Sequence, residues 1–222
     1  MKAICFDFDG TLVDSEPLHY ASWKEELQLF GCEFPLQMYL EECSGVSTVK
    51  VAQKLIDLYG LSIAAEQLAK QKTHRFVNRL AHELPVPQAG AEALLNSMEA
   101  TSLKIALVTG SYRVEIERIL DGLGWSHYFE HIVTRDDVSE AKPHPEPYLK
   151  TLAAIGVDPN DAWALEDSRT GIQSAWNAGL QVCAIQTQHH KVSHDVNYHH
   201  LFHSLAEFGI YVRTTLDQTS TN

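Results

Sequence analysis

The stretch DFDGT, residues 7–11, sets two aspartates two positions apart, after an apolar run and directly before a glycine turn. Three other polar stretches follow or flank apolar runs: Thr109, Gly110 and Ser111 in VTGSY, Lys142 in AKPHPEPY, and Glu166 with Asp167 in ALEDSR. Carboxylates gathered in one place raise one another's pKa unless a cation joins them, and oxygen-only donors suit Mg2+. A hydroxyl followed by backbone amides at a helix start cradles an anion, and lysine adds a compact positive charge beside it. Together these types describe a site for a phosphoryl group held between a cation, a helix N-terminus and an ammonium.

Such residues meet only if the elements carrying them converge. KAICFDF (2–8), LKIALVT (103–109), HIVT (131–134), DAWALE (161–166) and VCAIQT (182–187) have the composition of buried strands. Between them EALLNSMEA, YRVEIERILDGLG, PEPYLKTLAAIG and GIQSAWNAG read as helices, several of which end at glycine. This alternation predicts an α/β fold, a Rossmann-like doubly wound parallel sheet with its ligand site at the carboxyl ends of the strands. The segment after the first strand breaks the alternation. LHYASWKEELQLFG, STVKVAQKLIDLYG and AAEQLAKQKTHRFVNRLAHEL are helical in pattern, which predicts an all-helical insertion over 17–83 within a catalytic core of 1–16 and 84–222. ELPVPQAG (83–90) reads as the return linker, and TTLDQTSTN (214–222) as a frayed polar tail.

The 222 residues carry a formal charge of −12, which argues against nucleic acid and anionic membrane as partners. No run of eighteen apolar residues is present, so no membrane span is expected. The opening MKAICFDFDG puts acidic side chains where a signal peptide needs its apolar region, and the expectation is a cytoplasmic protein. Nothing demands more than a monomer. Cys5, Cys32, Cys43 and Cys183 form no CxxC pair and read as free thiols. Trp23, Trp125, Trp163 and Trp176 read as core residues or as packing under the insertion. Histidines crowd the C-terminal part, and His199 with His203 has the i, i+4 spacing of a metal pair on a helix. No Cys, Asp or Glu completes a site there, so His189, His190, His194, His199, His200 and His203 read as a solvated surface.

DFDGTLVDSE, LVTGS, AKPHPEPY and ALEDSRTGIQSAWNAG, in this order and spacing, closely resemble the four motifs of the haloacid dehalogenase superfamily, in its Mg2+-dependent phosphatase and phosphomutase branch. The resemblance covers nearly the whole chain, since the helical insertion is similar in place and size to that branch's small cap. It implies Asp7 as the nucleophile that forms an aspartyl-phosphate, and Asp9 as general acid and then general base, with its backbone carbonyl on Mg2+. The Asp7 carboxylate and Asp167 are the other implied ligands, with Glu166 either a ligand or a partner through water. Thr109, Gly110 and Ser111 are implied to hold phosphate oxygens, and Lys142 to neutralise the phosphoryl group and Asp7. His19 stands where sugar-phosphate members carry a similar histidine, which implies a polar substrate contact.

The function expected from this resemblance is hydrolysis of a small phosphorylated metabolite: a sugar or polyol phosphate, or phosphoglycolate. A β-phosphoglucomutase-like isomerase is the alternative. CSGVSTVKV (43–51) resembles the substrate-selecting loop of the insertion, where mutases carry a lysine and an arginine; here Ser44 and Thr48 fill those places. That departure weighs against a mutase, which must hold a second phosphate and keep water out. Removal of halide from haloacids needs neither Asp9 nor Asp167. A receiver-type phospho-acceptor module shares the acidic cluster but is about half this length and has no insertion after its first strand.

Overall fold

The computed structural model describes residues 1–187, 191–192 and 195–220. Among these residues six strands form a parallel sheet: β1 (Ala3–Phe6), β4 (Lys104–Val108), β5 (His131–Val133), β6 (Ala162–Glu166), β7 (Gln181–Ile185) and β8 (His200–Phe202). Their spatial order is β5-β4-β1-β6-β7-β8. The chain therefore winds outward from β1 first on one side and then on the other, which opens a crevice at the carboxyl ends of β1, β4 and β6.

The strands look uniformly apolar in sequence, yet mostly alternate in size, with Cys183 on the larger face and Val108 and Val182 on the smaller one as exceptions. Ile4, Phe6, Ile105, Leu107, Trp163, Leu165 and Ile185 face one layer of helices: α5 (Ala91–Glu99), α6 (Arg113–Leu123) and α9 (Leu205–Ser220). Ala3, Cys5, Ala106, Ala162, Ala164 and Ala184 face the other, α7 (Glu146–Ile155) and α8 (Arg169–Asn177). Small side chains on that face let α7 and α8 approach the sheet closely, which brings their polar ends onto the strand termini.

The chain leaves the sheet through β2 (Val13–Asp14) and returns through β3 (Val86–Pro87), which pair antiparallel. Between them lie α1 (Glu16–Gln28), α2 (Leu36–Glu42), α3 (Thr48–Tyr59) and α4 (Ala65–Arg79). These helices enclose an apolar cluster of their own that includes Trp23, Leu27, Tyr39, Leu55 and Leu68. Ion pairs Arg75–Glu26 and Arg79–Glu25 join α4 to α1.

The sequence reading needs four corrections. HLF forms a sixth strand, β8, too short and too histidine-rich to stand out by composition. Residues 214–220 of the expected tail belong to α9, whose apolar positions Leu205, Phe208 and Val212 dock on the sheet and carry the polar end along. Trp176 is 37% exposed rather than core, and its ring lies 4.9 Å from that of His199. His199 and His203 bracket strand β8 instead of sharing a helix, and His199 Nδ1 accepts the Val182 N–H at 2.9 Å. His189, His190 and His194 lie outside the described residues. The four cysteines are free thiols, as expected.

Phe208 anchors α9: it is fully buried, edge-on to Phe6 at 6.1 Å and to Phe202 at 5.4 Å. Phe208→Ala is expected to cost about 3–5 kcal/mol, read as a lowered denaturation midpoint. An unchanged midpoint would show that α9 contributes nothing to the core.

Candidate active site

Strand parity aims the first carboxylates. Asp7 extends β1 by one residue, its N–H donating to the Leu165 carbonyl at 3.0 Å. It therefore falls on the face of Ala3 and Cys5, and Glu166, at the end of β6, on the matching face of Ala162 and Ala164. Lys142 lies across both. Its ammonium donates to Asp7 Oδ1 at 2.7 Å, to Glu166 Oε1 at 2.5 Å and to the Val108 carbonyl at 2.8 Å, using all three of its hydrogens. Glu166 is held further by the Tyr148 hydroxyl at 2.6 Å and by Ser168 Oγ at 3.2 Å. Asp167 accepts from Thr11 Oγ1 at 3.1 Å.

Asp7, Glu166 and Asp167 are buried and offer oxygens that all lie within 4.8 Å of one another. Burial first, and then the neighbouring Glu166, push Asp7 up to about 7, against the pull of Lys142. Burial also raises Glu166. Lys142 is lifted above its ordinary value by Asp7 and Glu166, although burial alone would lower it. The ammonium pairs with Asp7 and Glu166, and Asp167 adds a third carboxylate to the cluster. This surplus of hard oxygen donors is what a divalent cation such as Mg2+ would satisfy, so the residues fit that ion.

The resemblance assigns Asp9 to these ligands through its backbone carbonyl, and its side chain turns elsewhere. The chain reverses after β1, with Leu12 and Val13 N–H both donating to the Phe8 carbonyl. Asp9 Oδ2 accepts from Ser111 Oγ at 2.7 Å and Thr109 Oγ1 at 3.2 Å; Oδ1 accepts from Ser15 Oγ at 2.6 Å and faces His19 Nε2 at 3.6 Å. Burial would raise this carboxyl, but His19 and the hydroxyls hold it well below the usual carboxylate range. Thr109 Oγ1 also accepts the Ser111 N–H at 3.0 Å, which shapes the loop from β4 into α6. Gly110 leaves open space in that loop.

Two glycines permit the close approach. At Gly10, φ is +86° and a Cβ would meet Asp167 Oδ2 at 2.2 Å; at Gly171, a Cβ would meet Glu166 Oε2 at 2.0 Å.

Asp7, Asp9, Gly110, Ser111 and Lys142 line a cleft of roughly 180 Å³, with His19 and Thr48 on the side of the helical insertion. His19 stacks on Phe76 with ring centroids 4.1 Å apart, and its Nδ1 lies 2.7 Å from Lys72 Nζ. Sequence reading missed Lys72, which lines the cleft although it sits in the charged run KQKTHR. The available signal was its spacing, since Leu68, Lys72 and Phe76 form one stripe of α4 and all three are buried. It also missed Glu16 and Tyr39, a buried carboxylate and hydroxyl that bond to each other in the cleft wall.

Residues 4–185 match the haloacid dehalogenase-like hydrolase family, and the chain belongs to it, in the branch of phosphatases and β-phosphoglucomutases. It is 30% identical over 184 residues to the fructose-1-phosphate phosphatase YqaB of Escherichia coli, covering 82% of this chain and 95% of that one. It is 28% identical over 188 residues to the β-phosphoglucomutase of Bacillus subtilis, covering 81% of each. The crystal structure of CbbY from Rhodobacter sphaeroides in complex with xylulose 1,5-bisphosphate superposes with a TM-score of 0.85 at 25% identity, over 94% of this chain and 96% of that one.

Gly171→Ala is expected to lower stability by about 2–3 kcal/mol through displacement of Glu166, whereas Gly110→Ala changes the melting temperature little. Equal melting temperatures for the two variants would refute the close-approach argument.

Proposed function

We propose that the chain is a Mg2+-dependent phosphatase acting on a small phosphorylated metabolite, a sugar or polyol phosphate or phosphoglycolate, through an aspartyl-phosphate on Asp7. One observation carries the reading: Asp7, Glu166 and Asp167 converge beside Lys142, while Asp9 faces Thr109 and Ser111 from across the same cleft. The phosphatase names of relatives such as YqaB support the class. The same reading has the protein working as a monomer in the cytoplasm; among the described residues no helix is long and apolar enough to cross a membrane.

In this mechanism Lys142 fixes the Asp7 carboxylate by one oxygen and adds positive charge where phosphoryl oxygens would lie. Asp7 attacks phosphorus as the ester P–O bond breaks, and Asp9 gives the leaving oxygen its proton. Water then attacks phosphorus, the P–Oδ bond breaks, and Asp9 takes the water's proton. Thr109 and Ser111 hold phosphate oxygens. A bound phosphate dianion competes for the very hydroxyls that hold Asp9 down and adds negative charge beside it. Both effects raise Asp9 toward the protonated form its acid role needs. Mg2+, held by Asp7 and Asp167 with Glu166 direct or through water and the Asp9 carbonyl, would supply further charge neutralisation at the phosphoryl group. The helical insertion acts as a cap whose side chains, His19 among them, touch the rest of the substrate.

A β-phosphoglucomutase-like isomerase is the second reading, favoured by the Bacillus subtilis relative and by Lys50, a cation of α3 that lines the cleft. Thr48, where mutases present a cation, speaks against it. Phosphate release from sugar phosphates, polyol phosphates and phosphoglycolate, with Mg2+ and with chelator, separates the two. The expected result is Mg2+-dependent release on a few substrates. Formation of glucose 6-phosphate from primed β-glucose 1-phosphate without free phosphate would establish the mutase instead.

Asp7→Asn is expected to reduce turnover by about a thousandfold or more while the protein stays folded; full activity would remove Asp7 as nucleophile. Mg2+ should raise the melting temperature of the wild type and not of Asp167→Ala. An equal rise in both would remove Asp167 as a ligand.

A further inference from the structure

Lys142 meets its carboxylates from a loop rather than from the end of a strand or helix. Residues 138–145 join the 3-10 turn Arg135–Asp137 to α7 without helix or strand. Lysine is a flexible stem that ends in a compact charge, so the backbone beneath it decides where the ammonium can lie. This ammonium has to satisfy Asp7, Glu166 and the Val108 carbonyl at once, at 2.5 to 2.8 Å. Whatever holds the loop is therefore part of the geometry of the site.

Glu146, the first residue of α7, turns back onto this loop. Its Oε1 accepts the Ser139 N–H at 2.9 Å and its Oε2 the Glu140 N–H at 2.8 Å. The Glu146 N–H donates to His144 Nδ1 at 3.2 Å, which reaches the far limb of the loop. That limb is also held from α8, where the buried Ser174 Oγ donates to the His144 carbonyl at 2.6 Å. Lys142 thus lies between two fixed points, Glu140 and His144. An acidic residue in the first turn of a helix ordinarily needs no explanation beyond the helix dipole. Here both carboxylate oxygens are spent on backbone N–H groups outside the helix, on the stretch that leads into Lys142.

We propose that Glu146 is a positioning residue for Lys142: its carboxylate fixes the loop so that the ammonium meets Asp7, Glu166 and the Val108 carbonyl together. Glu146 does not line the cleft. The kinetic consequence rests on the role proposed for Lys142 in phosphoryl transfer, whereas the place of the ammonium does not depend on that reading.

Crystal structures of the full-length wild type and of Glu146→Ala read that place directly. The wild type should keep all three bonds of the Lys142 ammonium. In Glu146→Ala the Ser139 and Glu140 N–H groups lose their acceptor, and Lys142 Nζ should leave hydrogen-bond distance of Asp7 or Glu166. A wild type without these bonds, or a variant that keeps all of them, overturns the proposal. Should Glu146→Ala fail to fold, Glu146→Gln decides by the same criterion, because it keeps one acceptor oxygen and turns an amide N–H toward the other backbone N–H.

Kinetics supply the second arm. A charge displaced from the reacting group costs rate, while the cap contacts that bind the rest of the substrate stay as they are. Glu146→Ala should therefore lower kcat on a phosphate ester by about tenfold or more and change KM by less than about threefold, with Glu146→Gln in between. An unchanged kcat overturns the proposal, and so does a loss no larger than the fall in folded fraction, which would mark Glu146 as merely structural. A wild type that hydrolyses no phosphate ester would sink the phosphatase reading, and the crystal structures alone would then judge the place of Lys142.

Discussion

Three carboxylates and one ammonium share a buried corner of this protein, and most of its local architecture follows from that imbalance. Two unit charges 4 Å apart interact by about 4 kcal/mol at an effective dielectric constant of 20. Asp7, Glu166 and Asp167 therefore cannot all ionise together without compensation, and Lys142 meets only part of the need. The remaining surplus is functional potential: it defines a place for a cation and, beyond it, for an anionic group. Gly10 and Gly171 exist at the rim of this corner because any Cβ would collide with a carboxylate.

The sheet makes the corner possible through its sidedness. Were both faces lined by residues the size of Phe6 and Trp163, α7 and α8 would stand too far off for Tyr148 and Ser168 to reach Glu166. The alanines at 106, 162, 164 and 184 close that distance. Parity then puts Asp7 and Glu166 on this same tight face, where they share Lys142. Packing and chemistry thus use one pattern: the alternation that seats the helices also decides which carboxylates meet.

Much of this was legible in the sequence, and the limits have physical causes. The strands β1, β4, β5, β6 and β7 announce themselves because a buried parallel strand must be a short apolar run. The polar residues that end them are conspicuous by contrast, which is why Asp7, Thr109, Lys142, Glu166 and Asp167 could be picked out together. The strand β8 and the last turns of α9 were hidden because tertiary docking, not local composition, holds them. Lys72, Glu115 and Glu16 were hidden for a different reason. Charged residues in helices are usually solvated, and only tertiary packing buries these three: Lys72 of α4 against Glu115 of α6, and Glu16 of α1 against Tyr39 of α2.

Asp7 and Asp9 bring the two halves of the molecule into one argument. They are the same residue type, two positions apart, Asp7 buried and Asp9 half-buried, yet their environments push them in opposite directions. Asp7 lies beside another carboxylate and is driven up. Asp9 receives three hydroxyls and faces an imidazole, and is driven down. Pairs of like groups separated in this way are how one site obtains a nucleophile and a proton carrier from the same chemistry. The neighbours of Asp7 come from the sheet and the loops that follow it. Those of Asp9 come from both sides: Thr109 and Ser111 from the loop after β4 and Ser15 from the end of the first core segment, and His19 from the helical insertion. Removing residues 17–83 would leave the printed partners of Asp7 in place and would strip Asp9 of His19. The difference between the two aspartates is therefore a property of the assembled molecule, and it depends on α1 starting where His19 can face the Asp9 carboxylate.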